Sequence, residues 1–107
     1  MKRYEVRWAR LEPVEGAEMG KTRPVVIVSR DEFNERLRTV TVCPLTSQLH
    51  PQWQTRLQVT CDGQPAEIAV DHIRSLSKQR VGPLLGPLSA EDAAALRHLI
   101  ALMYGEP

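Results

Sequence analysis

Pro24-Val25-Val26-Ile27-Val28-Ser29 decides the fold class. Four β-branched residues follow one another with no polar alternation, so both faces of this stretch are apolar. It is too short for a buried helix and reads as a central strand covered on both sides. Upstream, Tyr4 to Leu11 alternates. Tyr4, Val6 and Trp8 share one face while Glu5 and Arg7 take the other, which predicts a half-buried strand with Trp8 in the core. Pro13 to Gly20, with Gly16 and Gly20, reads as a loop between these two strands. Downstream, Asp31 to Leu37 suits one or two helical turns, and Arg38 to Leu45 alternates again with Val40 and Val42 inward. Gln54 to Thr60 is a further strand, with Leu57 and Val59 on one side. Asp62-Gly63 is a strong hairpin signal, Ala66 to Val70 returns from it, and Ile73 to Val81 holds another short strand.

The period then changes. Leu96, Leu99, Ile100 and Met103 recur at i, i+3, i+4 and i+7, one face of an amphipathic helix. Ser89 with Asp92 three residues on resembles a capping box, and Gly105 is the stop. Such a helix is expected over a barrel opening or a dimer seam. The layout is therefore mainly β: five to seven short strands, one small helical insert and one terminal helix. That pattern fits a small, strongly bent antiparallel sheet or barrel.

Composition narrows the classes. A chain of 107 residues, 42% hydrophobic and 25% charged, suits a single domain over residues 1–107. The net charge of +1 hides an asymmetry: residues 1–30 carry seven basic and four acidic groups, and residues 86–107 one and three. A basic N-terminal third can attract phosphate. No run reaches the ~20 apolar residues of a membrane span, and Met1-Lys2-Arg3-Tyr4-Glu5 has no apolar segment of a signal peptide. Cys43 and Cys61 build neither a disulfide scaffold nor a zinc cluster. The expectation is a reducing cytoplasm, no cofactor, no metal and no membrane.

No phosphate-cradling glycine loop or nucleophile elbow occurs. Polar residues gather instead at strand ends. Lys21-Thr22-Arg23 precedes the central strand, Thr46-Ser47 follows Pro44-Leu45, and Asp71-His72-Ile73-Arg74 closes the strand after the hairpin. If those strands are neighbours, Arg23, Thr46 and Asp71 meet at one rim. Each also has a plainer role. Arg23 can be a strand-edge charge, Thr46-Ser47 a side-chain-bonded turn, and Asp71 a cap or a partner of Arg74. His72 and His98 suit the surface, and Cys43 suits a buried position. Trp53, in a Pro-rich loop, can stack on a base.

These segments resemble the signatures of the MazF/PemK-type toxins. Leu11-Glu12-Pro13 followed by Gly16 to Ser29 is similar to the first signature, Val42-Cys43-Pro44-Leu45-Thr46-Ser47 to the second, and Val70 to Leu76 to the third. The resemblance covers roughly residues 4–104. It implies an SH3-like antiparallel barrel of the CcdB/MazF/PemK type with a C-terminal helix, assembled as a homodimer. It also implies metal-independent, sequence-specific cleavage of single-stranded RNA, leaving a 2′,3′-cyclic phosphate and a 5′-hydroxyl, and an antitoxin protein as partner. Arg23 and Thr46 then match the family's catalytic pair, Asp71 an acidic residue proposed as general base, and Glu18 a recurrent loop glutamate. Glu18, Lys21, Thr22, Ser47, Trp53 and Arg74 are the expected RNA contacts. Three positions depart from the pattern: Tyr4 replaces a common glycine, while Ala17 and Ala69 replace a histidine and an arginine found in some PemK-type members.

The residue types suit the reaction. RNA supplies its own nucleophile, the 2′-hydroxyl, and needs charge stabilisation on the non-bridging oxygens. A guanidinium binds phosphate bidentately and stays charged. A threonine hydroxyl can fix the phosphate geometry, and a carboxylate can act as base. Two alternatives remain at this level: a CcdB-like toxin that binds gyrase, and an inactive SH3-like binding module.

Overall fold

The computed structural model describes residues 1–11 and 22–107. Seven antiparallel strands occur among them: β1 Glu5–Arg10, β2 Thr22–Ile27, β3 Thr39–Thr46, β4 Arg56–Cys61, β5 Gln64–Ala69, β6 Arg74–Ser77 and β7 Val81–Pro87. Two helices join them, α1 Asp31–Arg36 and α2 Ala90–Tyr104. The sheet order is β4-β5-β3-β2-β1-β7, with β6 paired to the other end of β3. β3 is the pivot. It pairs β6 over 39–42, β2 over 42–44 and β5 at Leu45 and Thr46. Changing neighbours along one strand curls the sheet into the half-open barrel that the sequence pattern implied.

The apolar run of β2 is buried on both faces, with Val25, Val26 and Ile27 each 0% exposed. The two faces feed two cores. Val6, Val26, Cys43, Leu45, Val59, Ile68 and Val70 form the larger one, closed by Leu96 of α2. Leu99, Ile100 and Met103 pack against it from the same helical stripe. The terminal helix thus covers the larger core. Its start is capped by Ser89 Oγ, which accepts from the Asp92 amide at 3.1 Å, and it ends at Gly105. Ala9, Val25, Ile27, Val40, Val42 and Leu76 form the smaller core on the opposite face.

Trp8 departs from expectation. The β1–β2 register keeps it on the face of Val6, opposite Pro24, but it lies past the end of the larger core and is 37% exposed. Alternation predicted its direction correctly; cover depends on what stands opposite. Tyr4 is the second unusual position. Its φ is +71°, in the left-handed region, which explains why a glycine suits it. Asp62 and Gly63, at φ +52° and +77°, form the hairpin turn between β4 and β5. Two positive φ values in succession make a turn whose twist matches that of the flanking strands.

Candidate active site

Register builds the site. Val25 faces Pro44 across β2 and β3. The paired stretch ends there: Arg23 lies two residues back along β2, on the face of Val25, and Thr46 two residues on along β3, on the face of Pro44. Thr46 in turn pairs with Glu67 of β5, and Glu67 with Gln58 of β4. Paired residues share a face, so Thr46, Glu67 and Gln58 form a row across three strands, with Arg23 on the same face of β2. This is the face of the smaller core, where the apolar residues give out and polar ones begin. A cleft of about 460 Å³ opens there, walled by Arg23, Thr46, His50, Trp53 and Arg56 with Leu11, Pro44 and His72 among its other contacts. Arg23 and Thr46 also line a neighbouring hollow of about 280 Å³, together with Trp8, Ser47 and Asp62.

Arg23 is exposed and Thr46 half-buried. Thr46 Oγ1 accepts from the Gln48 amide at 3.1 Å, which is the turn bond the sequence suggested. A hydroxyl that accepts still has its own hydrogen to donate, so Thr46 can hold both the turn and an anion.

Behind the cleft lies a polar network. Glu67 is 0% exposed. Its carboxylate accepts from Gln58 Nε2 at 2.7 Å, from Arg56 Nη1 at 2.6 Å and from the backbone amide of His50, and His50 Nδ1 stands 3.1 Å from Oε2. Burial alone pushes the Glu67 pKa up, but the bonds from Gln58, His50 and Arg56 overcome this and hold it at about 2. Arg56 spans two carboxylates, since its Nε also donates to Asp71 at 2.8 Å. Burial disfavours ionised Asp71, and the Arg56 hydrogen bond reverses that, so its carboxyl lies below its ordinary value. The His50 ring stacks on Trp53 at 3.9 Å, 20° from parallel, and the Arg56 guanidinium lies 4.7 Å from the Trp53 ring centre.

The structure therefore brings Arg23, Thr46 and Trp53 to one cleft. Asp71 reaches it through Arg56, with its carboxylate bound to that side chain and 3.5 Å from His72 Nε2. Ser47 lines the neighbouring hollow, Thr22 is exposed at the start of β2, and Arg74 sits in β6 opposite Val42. Glu18 and Lys21, as well as Ala17, lie outside the described residues. Sequence reasoning missed His50, Arg56, Gln58 and Glu67. The one available signal was Glu67 itself, a lone acid inside the run Ala66-Glu67-Ile68-Ala69-Val70. Cys43 is buried, as expected. Burial, followed by the Asp71 charge, pushes its thiol up to about 12, so it is no nucleophile.

A family model described as the PemK-like, MazF-like toxin of type II toxin-antitoxin systems matches residues 2–104. The chain belongs to that family. Among relatives of the PemK/MazF toxins, it is 30% identical to an Endoribonuclease MazF of Staphylococcus saprophyticus, covering 98% of this chain and 92% of that one. It is also 30% identical to Endoribonuclease MazF9 of Mycobacterium tuberculosis, covering 95% and 94%. In fold, it is similar to an endoribonuclease in complex with its cognate antitoxin from a mycobacterial species. That match has a TM-score of 0.81 over 100% of this chain and 97% of the other, at 20% identity. Among the described residues of this MazF/PemK-type toxin, no helix is long and apolar enough to cross a membrane.

Proposed function

We propose that this MazF/PemK-type toxin is an endoribonuclease that cleaves single-stranded RNA in the cleft walled by Arg23 and Thr46, with residues 1–107 acting as one toxin domain in the cytoplasm. The observation that carries this reading is the open cleft whose lining includes both the Arg23 guanidinium and the Thr46 hydroxyl. The 2′-hydroxyl attacks the adjacent phosphorus, the P–O5′ bond breaks, and the products are a 2′,3′-cyclic phosphate and a 5′-hydroxyl. Arg23 neutralises charge on the non-bridging oxygens, a contribution commonly worth ~3–4 kcal/mol. Thr46 donates its hydroxyl to one of them and fixes the phosphate. Asp71 acts from the edge of the cleft by holding Arg56 in the wall. Trp53, about half exposed beside His50, supplies aromatic surface for an unstacked base, with Thr22, Ser47 and Arg74 along the approaches and Glu18 and Lys21 as further RNA contacts. Dependence on the 2′-hydroxyl separates RNA from DNA without reading bases.

The same reading includes two protein partners: an antitoxin that blocks the cleft, and a second copy of this chain. Leu102, Tyr104 and Leu84 are 72%, 51% and 50% exposed, and pairing would cover such surface. Light scattering at micromolar concentration should give a dimer mass. For the activity, Arg23→Ala and Thr46→Val are incubated with a long RNA in EDTA and the ends are mapped. Wild type should leave cyclic phosphates, and Arg23→Ala should be slower by ~10²–10³-fold with unchanged circular dichroism. Undiminished cleavage by Arg23→Ala would remove the mechanism.

A further inference from the structure

We propose that His50 is the general acid of the cleft, donating the proton that O5′ needs as the P–O5′ bond breaks, and that Glu67 is the residue that positions it. This rests on the endoribonuclease reading and adds a group that reading lacks, since neither Arg23 nor Thr46 is a ready proton donor.

The ring is held from two sides. Its own backbone amide and its Nδ1 both bond the Glu67 carboxylate, and Trp53 covers one face. Glu67 fixes the tautomer. Were Nδ1 unprotonated, its lone pair would face a carboxylate oxygen at 3.1 Å; with Nδ1–H donating, Nε2 is the nitrogen left for proton exchange. A buried carboxylate behind an imidazole is a recurrent device for orienting a catalytic histidine. The groups in contact with His50 are Glu67 from β5, Arg56 from β4, whose Nη1 lies 3.5 Å from Nδ1, and Trp53; Arg23 and His72 line the same cleft. The His72 side chain, however, is 62% exposed and its partner Asp71 is already engaged by Arg56.

The step balances. The 2′-oxygen bonds to phosphorus and its proton passes to solvent water. The P–O5′ bonding pair stays on O5′, which takes the proton of Nε2, and neutral His50 recovers a proton from solvent.

The test compares ordinary RNA with RNA carrying sulfur in place of O5′ at the mapped cut site, because a thiolate leaves without protonation. His50→Gln should cut ordinary RNA ~10²–10⁴-fold more slowly than wild type and cut the sulfur substrate at close to the wild-type rate. That retained rate also proves an intact fold and cleft. Glu67→Gln should show a smaller loss on ordinary RNA, restored in the same way, with the alkaline limb of the kcat/KM profile displaced. His98→Gln, on the exposed side of α2, serves as the unchanged control. Equal loss on both substrates, no loss on either, or the alkaline limb vanishing in His72→Gln instead would overturn the assignment. If wild type cuts neither substrate, the endoribonuclease reading itself falls, a result distinct from an active His50→Gln.

Discussion

Single residues carry both strain and chemistry in this chain. Tyr4 occupies a left-handed backbone position where glycine is comfortable, yet its amide donates to Ile27 O at 2.6 Å and its carbonyl accepts from Leu88 at 2.9 Å. Its ring packs against the larger core, so removing the side chain would lose more than the strain it relieves. Its hydroxyl is different, being buried with no hydrogen-bond partner among the described residues. Tyr4→Phe should therefore raise stability by about 1 kcal/mol, read as a higher urea midpoint at unchanged slope; a lower midpoint would mean the hydroxyl has a partner after all. At this scale the sequence was partly legible. Arg23 and Thr46 stood out because strand ends concentrate polar groups after apolar runs. Glu67 did not, because alternation cannot distinguish a solvated acid from one roofed by Arg56, Gln58 and His50. His50 lies in a loop, where period gives no direction, and its significance comes only from the carboxylate behind it.

Elements place those residues, and β3 does most of the placing. Because it pairs β2 and β5 near one end, Thr46 sits between Arg23 and Glu67, while the β4–β5 hairpin swings Arg56 and Gln58 over the same face. β1 to β6, the Asp62-Gly63 turn and the α2 stripe could be read from period and turn chemistry; β7 could not, because Gly82, Pro83, Gly86 and Pro87 interrupt any alternation. The strands' neighbours could not either, because strand pairing depends on long-range burial, and Trp8 was misjudged for that reason. The hairpin gives a clean test. Gly63 has a φ of +77°, and among the described residues a side-chain methyl there would meet open space, so substitution meets strain without a clash. Gly63→Ala should cost ~1 kcal/mol and loosen the β4 end that carries Arg56. Thermal melts would show the cost, and a variant as stable as wild type would mean that the turn relaxes to another type.

The whole molecule should record the buried network in its acid stability. Glu67 is held at about 2 against an ordinary 4.5, and Asp71 and Glu5 are also lowered. Each binds its proton more weakly folded than unfolded, so each stabilises the fold at neutral pH. That contribution is complete above the unfolded carboxylate range, at about pH 4.5, and drains away as pH falls from there through about 2. Glu67 dominates because it is fully covered, and protonating it leaves Arg56 beside a neutral acid in a dry setting. Wild-type melting temperature should hence be flat from pH 7 to about 5 and fall steeply below 4.5. Glu67→Gln keeps the shape and part of the bonding but has no carboxyl to titrate. It should melt lower at pH 7 and lose less on acidification, so the two curves converge toward pH 2.5. Parallel curves would place the acid sensitivity elsewhere and imply that Glu67 is no better ionised in the fold than out of it.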